Sequence, residues 1–77
     1  MKSLLEFILL RMVEHPEDLE INEVEETDLT TFELKLHPDD IGRVIGRGGN
    51  VIKAIRKLAQ VKAVREHLRV RVILQEE

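Results

Sequence analysis

Three of the chain's four glycines, Gly46, Gly48 and Gly49, fall within four positions of the stretch GRVIGRGGNVIKAIRK, residues 42–57. Val44 and Ile45 stand before them, Arg47 between them, and Asn50 directly after. The run that follows carries Ile52, Lys53, Arg56 and Lys57 at helical spacing. The chemistry this composition permits is contact with phosphate. Gly46 takes the positive φ that closes a preceding helix at no steric cost. Gly49 opens the next helix, where the lack of a side chain lets another backbone approach. A helix N-terminus presents N–H groups and a partial positive charge to an anion, and Arg47 adds a full charge at the tip. Two other glycine loops fail on spacing. A Walker A loop requires G-x-x-x-x-G-K-[ST], but Arg47 stands five places after Gly42 and no glycine is followed by a Lys-Ser/Thr pair. A dinucleotide fingerprint begun at Gly46 needs glycine or alanine where Val51 stands.

Little else in the chain is equipped for catalysis. Ser3 is the single serine and there is no cysteine, so neither a thiol nucleophile nor a disulfide is available. Asp39-Asp40 reads as charge in the first turn of a helix, where the dipole favours it. His15, His37 and His67 fall in three separate connections without cysteine support, so neither a metal site nor a cofactor is expected. An enzyme is not expected.

The elements that must position the loop are legible from periodicity. In residues 2–14, Leu5, Ile8, Leu9, Met12 and Val13 recur on one helical face, and His15-Pro16 stops an N-terminal helix placed over 1–15. Phe7 and Leu10 lie off that face. Residues 19–26 begin an alternating strand at Leu19 and Ile21; Val24 is out of phase, which predicts a bulge or the strand's end. Residues 30–36 alternate cleanly, with Phe32, Leu34 and Leu36 inward, and complete a β-hairpin. Pro38 then starts a short helix ended by Gly46, and a second helix runs from near Asn50 with Ile52, Ile55 and Ala59 buried, Val51 and Leu58 beside them. Its other side carries Lys53, Arg56, Lys57 and Gln60. LRVRVIL closes the chain as a strand, with Leu68, Val70, Val72 and Leu74 on one face. The expected fold is α+β in the order α-β-β-α-α-β, one domain over residues 1–77, with a helix-loop-helix unit at 38–66.

Charge is segregated along the chain. Residues 1–41 carry −9 and residues 42–77 carry +6, for a net charge of −3. A bipolar chain of this kind presents a positive surface locally, and the local field attracts a polyanion. The apolar stretch LLEFILLRMV is broken by Glu6 and is far shorter than the ~18–20 residues a membrane span needs. No small-residue cleavage site follows it. A soluble cytoplasmic protein without membrane insertion is expected.

The stretch Val44-Ile45-Gly46-Arg47-Gly48-Gly49-Asn50-Val51-Ile52 resembles the V-I-G-x-x-G-x-x-I signature of KH domains, with Gly46–Gly49 as the GXXG loop. Lys53 and Ile55 stand where that family usually has such residues. The element order is similar to the type II, prokaryotic arrangement, a three-stranded mixed sheet with helices packed on one face. The HPDD-I-G-x-V-I-G start of the motif resembles the small stand-alone bacterial KH proteins of the KhpA (YlqC) family. What the resemblance implies is binding of short single-stranded RNA, with phosphate at Gly46, Arg47, Gly48 and Gly49 and the adjoining Asn50. Ile45 and Ile52 would be partly groove floor and partly core. Lys53 and Arg56 are expected to extend a basic track, on the ground of their place on the exposed face of the second helix more than of the resemblance. Gly48 departs from the pattern, since related proteins often carry a larger polar or basic residue there. The resemblance further implies an RNA chaperone or post-transcriptional regulator linked to cell envelope growth and division. It also implies a homodimer, or pairing with a larger Jag-type KH partner; an adaptor role built on that pairing is the alternative.

Overall fold

The alternation of TTFELK makes the central strand of the sheet. In the computed structural model, which describes residues 1–75, β2 (Thr30–Lys35) lies between β1 (Glu20–Glu25) and β3 (Val70–Leu74). β1 runs antiparallel to β2, from Glu20 opposite Lys35 to Glu25 opposite Thr30. β3 runs parallel to it, from Val70 opposite Thr30 to Leu74 opposite Leu34. Parallel neighbours need a crossover, and α2 (Pro38–Ile45) with α3 (Asn50–Arg65) supplies it; α1 (Lys2–Leu10) precedes the sheet. The order is α-β-β-α-α-β, as the periodicity predicts.

One side of the sheet carries the core. Ile21, Phe32, Leu34, Val70 and Val72 face Leu5 and Leu9 of α1, Val44 of α2, and Ile52, Ile55, Ala59 and Ala63 of α3. Burying each large side chain of this set contributes about 1.5–3 kcal/mol. Ala59 and Ala63, four residues apart and fully buried, give α3 a small-residue stripe on its inward side. No helix among the described residues is long and apolar enough to cross a membrane.

Several expectations are corrected. Val24 marks neither a bulge nor an end: the register passes through it opposite Thr31, and its side chain stands exposed on the outer face. Thr31, on the same outer face, is buried between Val24 and Arg71 because β2 is flanked on both sides. Leu58 and Leu68 are exposed, and Ala63 takes the buried position one turn beyond Ala59. The N-terminal helix ends at Leu10, not near residue 15. Met12 and Val13 still pack on the core, but their N–H groups both return to Leu9 O in a turn.

A few residues beyond that end the chain meets a buried carboxylate. Asp40 has no exposed surface. Its Oδ1 accepts the Glu14 N–H at 2.9 Å and its Oδ2 the His15 N–H at 3.0 Å. Burial alone would raise the Asp40 pKa. The Glu14 and His15 N–H groups, followed by the charges of His15 and Arg43, more than offset it, so the carboxyl titrates below its ordinary range. Asp40 is therefore a latch. It ties the backbone of Glu14 and His15 to α2, whose far end carries the glycine loop.

Candidate functional site

α2 stops at Gly46, where φ is +74° and ψ 173°, while its N–H still donates to Gly42 O at 2.9 Å. A Cβ at this position would lie 2.3 Å from Val51 Cγ2 and 2.9 Å from Val51 N. The close approach expected at Gly49 is thus found at Gly46, with Val51 folded over it. Around Gly49 the nearest atom to an added Cβ is Lys53 Cε at 3.9 Å. Gly48 and Gly49 are required by conformation instead, with φ of +64° and +77°. Arg47–Gly49 form a single tight turn, closed by Gly49 N–H to Gly46 O at 3.1 Å. α3 then starts at Asn50 with Gly49 as its cap residue, so no side chain accepts from its first turn.

The side chains proposed from sequence divide by environment. Arg47, Gly48, Asn50 and Lys53 are exposed at the turn and the start of α3; Ile45, Gly46 and Gly49 are half-buried; Ile52 is core. Arg56 is exposed but tied down: its Nε donates to Val72 O at 3.1 Å. One helical turn later Gln60 Nε2 donates to Val70 O at 2.7 Å. Together they occupy carbonyls of β3, an edge strand, a role the sequence reading did not assign to either. The spacing of four residues on one helix face was the available signal. Arg43 is committed to Glu14 and to Asp40, the latter at 3.8 Å. Among the described residues Arg47, Lys53 and Lys57 form no ion pair, so their charge is directed to solvent beside the loop.

Neither aromatic ring belongs to this unit. Phe32 is core, and Phe7 on α1 is covered by the Arg11 guanidinium 3.5 Å above its ring. The sequence reading also separated three histidines, yet the fold stacks two of them: the His15 and His37 rings lie 3.8 Å apart beside Asp39. That contact crosses between the α1–β1 connection and the start of α2, and nothing local in the sequence signals it.

The family profile described as "KhpA/KhpB, KH domain" matches residues 2–74. The chain belongs to this family. It is 39% identical over 72 residues to the RNA-binding protein KhpA of Halalkalibacterium halodurans, covering 94% of this chain and 95% of that one. It is 42% identical over 70 residues to the RNA-binding protein KhpA of Clostridium perfringens, covering 91% and 93% respectively. The RNA-binding protein KhpA of Chlamydia pneumoniae is 40% identical over 77 residues, spanning 100% of this chain and 99% of its own length. No solved structure matches. As a KhpA/KhpB KH domain, the chain has the type II arrangement, and the two helices joined by Gly46–Gly49 form its crossover.

Proposed function

We propose that this protein binds single-stranded RNA and holds the sugar-phosphate backbone against the loop Gly46–Gly49. The observation that carries this reading is the loop itself: three left-handed glycines join α2 to an α3 start without a side-chain cap, beside exposed Arg47 and Lys53. N–H groups and cations in that arrangement suit phosphate oxygens. The relatives named as RNA-binding proteins support the polymer class. Gly46 and Gly49 shape the turn, Arg47, Gly48 and Asn50 meet phosphate, and Lys53 extends the track. Arg56 joins it through the guanidinium nitrogens that do not hold Val72 O. Ile45 and the exposed edge of Ile52 line the floor. Without an aromatic platform, binding rests on phosphate and apolar contacts, so a single domain binds weakly and with modest base preference. The protein acts by binding, without catalysis, as a cytoplasmic RNA chaperone or post-transcriptional regulator linked to envelope growth and division.

The test is a titration of labelled single-stranded RNA by fluorescence anisotropy at two salt concentrations, with Arg47→Asp/Gly48→Asp as the variant. An added side chain at Gly48 meets nothing within 4 Å, and aspartate tolerates the left-handed region, so circular dichroism should report an intact fold. Salt-sensitive binding that the folded variant loses supports the loop. Equal binding by both proteins refutes it.

A second reading, an adaptor that works by dimerisation or by pairing with a Jag-type KH protein, draws on α3. Leu58, Val61 and Val64 recur every three residues and are 53%, 56% and 71% exposed. Pairing two weak sites raises effective concentration, so this reading complements the first. Sedimentation of the protein alone and with such a partner, giving a monomer mass at every concentration, would remove it.

A further inference from the structure

We infer that His15, His37 and Asp39 form a binding site for one divalent transition-metal ion of the zinc type, at the end of α2 remote from the glycine loop. Asp39 Oδ2 lies 3.5 Å from His15 Nε2 and 3.6 Å from His37 Nδ1. Ligand atoms about 2.0–2.1 Å from a shared tetrahedral ion stand about 3.3–3.4 Å from one another. The carboxylate oxygen is thus already at chelating distance from both imidazoles. One ligand atom from each of the three residues falls within 4.8 Å of the others.

Three further features fit a metal better than chance proximity. Glu17 Oε1 stands 3.5 Å from His15 Nδ1, on the ring nitrogen that does not face Asp39. A carboxylate behind a histidine is the usual outer partner of a metal ligand, fixing its tautomer and raising its basicity. His37 Nδ1 accepts the Asp39 N–H at 3.0 Å, so that nitrogen bears the lone pair a metal requires. Finally, the backbone is held in place from below, because buried Asp40 grips the N–H of His15 itself. Two imidazoles and one carboxylate suit zinc and its neighbours over calcium or magnesium. Both histidines are about a third exposed, at 32% and 30% of their side chains, which gives an ion access.

The geometry also sets what binding must change. The rings are stacked with 20° between their planes, so their lone pairs run side by side, and one ring must rotate about its broad χ2 well for both to reach a single ion. The ion also competes with the Asp39 N–H for His37 Nδ1. Three protein ligands leave a fourth position to water. Affinity is therefore lower than in a closed four-ligand site, and loading ties the α1–β1 connection to α2.

The experiment is calorimetric titration of the chelator-treated protein with zinc chloride, alongside His15→Gln, His37→Asn, Asp39→Asn and the distant control His67→Asn. Asparagine is a good N-cap residue, so His37→Asn removes the ligand while keeping the α2 start, and circular dichroism reports whether each variant folds. The expected result is one zinc per chain in the wild type and in His67→Asn. Each site variant weakens binding by at least about tenfold, the loss that even an outer partner can cause. Imidazole NMR resonances of His15 and His37, and not of His67, shift on loading. No binding, binding unchanged in the folded site variants, or shifts confined to His67 would each overturn the assignment.

Discussion

Replacing Gly46 with alanine tests the geometry of the loop most directly. Two penalties add. An alanine at φ +74° and ψ 173° sits in a region essentially reserved for glycine, at about 1–3 kcal/mol. Its Cβ would also fall 2.3 Å from Val51 Cγ2, 2.7 Å from Val51 Cβ and 2.9 Å from Val51 N. The first atom belongs to a side chain that can move, but the backbone nitrogen begins α3 and cannot move without it. Overpacking of this kind costs about 1–3 kcal/mol. Against both stands a gain of about 0.4–1 kcal/mol from restricting the unfolded chain. The net loss is about 1–5.5 kcal/mol, to be set against the roughly 4–12 kcal/mol a chain of this length possesses. Gly48→Ala provides the internal reference, because at φ +64° and ψ 18° it meets only the ordinary left-handed penalty, with nothing within 4 Å of the added atom. It should lose about 1 kcal/mol or less. Gly42→Ala, within α2 and equally open, should gain about 0.5–1 kcal/mol from helix propensity. Urea unfolding followed by far-UV circular dichroism ranks the three. With a slope near 1 kcal/mol per molar urea, the Gly46→Ala midpoint drops by about 1 M or more. A loss no larger than that of Gly48→Ala would refute the close approach of Val51.

Other perturbations have signs fixed by the structure. His67 adopts φ 56° just after α3, its N–H on Val64 O and the next N–H on Ala63 O, the pairing of a glycine-type helix end; His67→Gly should add about 1 kcal/mol and raise the melting temperature by about 4–8 °C, and a fall would contradict this reading. Because the folded Asp40 pKa is lowered, its contribution is full above about pH 4 and is lost as pH falls through the folded value. The stability gap between wild type and Asp40→Asn should therefore be constant near neutrality and narrow in acid; a gap independent of pH would show that the charge is not what matters. Val61→Asp/Val64→Asp places charge on the exposed side of α3 and should shift self-association toward monomer in sedimentation with little change in melting temperature; an unchanged association constant would exclude that face.

The parts of this fold that were legible in the sequence are those written at short range. Phe32, Leu34 and Leu36 alternate, Ile52, Ile55 and Ala59 follow a helical period, and three glycines mark one turn; each pattern reflects contacts with a common face. What escaped depends on pairs far apart in the chain. Asp40 reads as first-turn charge on α2, and only the fold brings Glu14 and His15 within reach of it. The same closure stacks His15 on His37. Arg56 is a comparable case. Its helical position marks it as surface, but the β3 carbonyl it holds becomes its neighbour only once the parallel crossover has formed. The sequence marks the loop but not its tightest glycine, since the contact of Val51 with Gly46 exists only once the turn has formed.

A net charge of −3 need not prevent an RNA grip, provided the cations beside the loop keep their charge. Lys35, Arg43 and Lys62 are engaged by Glu20, Glu14 and Glu66, whereas Arg47, Lys53 and Lys57 have no such partner among the described residues. At physiological salt the screening length is about 8 Å, so carboxylates farther than this from the loop act weakly on a phosphate bound there. The number of phosphates met then follows from the cations of the track, Arg47 and Lys53 with Arg56 as a third. Two to three contacts give a slope of log affinity against log salt of about −1.4 to −2.1, at about −0.7 each on a single strand. Lys53→Ala should make that slope shallower by about 0.7. Lys35→Ala, already paired with Glu20, should leave it unchanged. Equal slopes for wild type and Lys53→Ala, in a variant that still binds, would place the strand elsewhere on the surface.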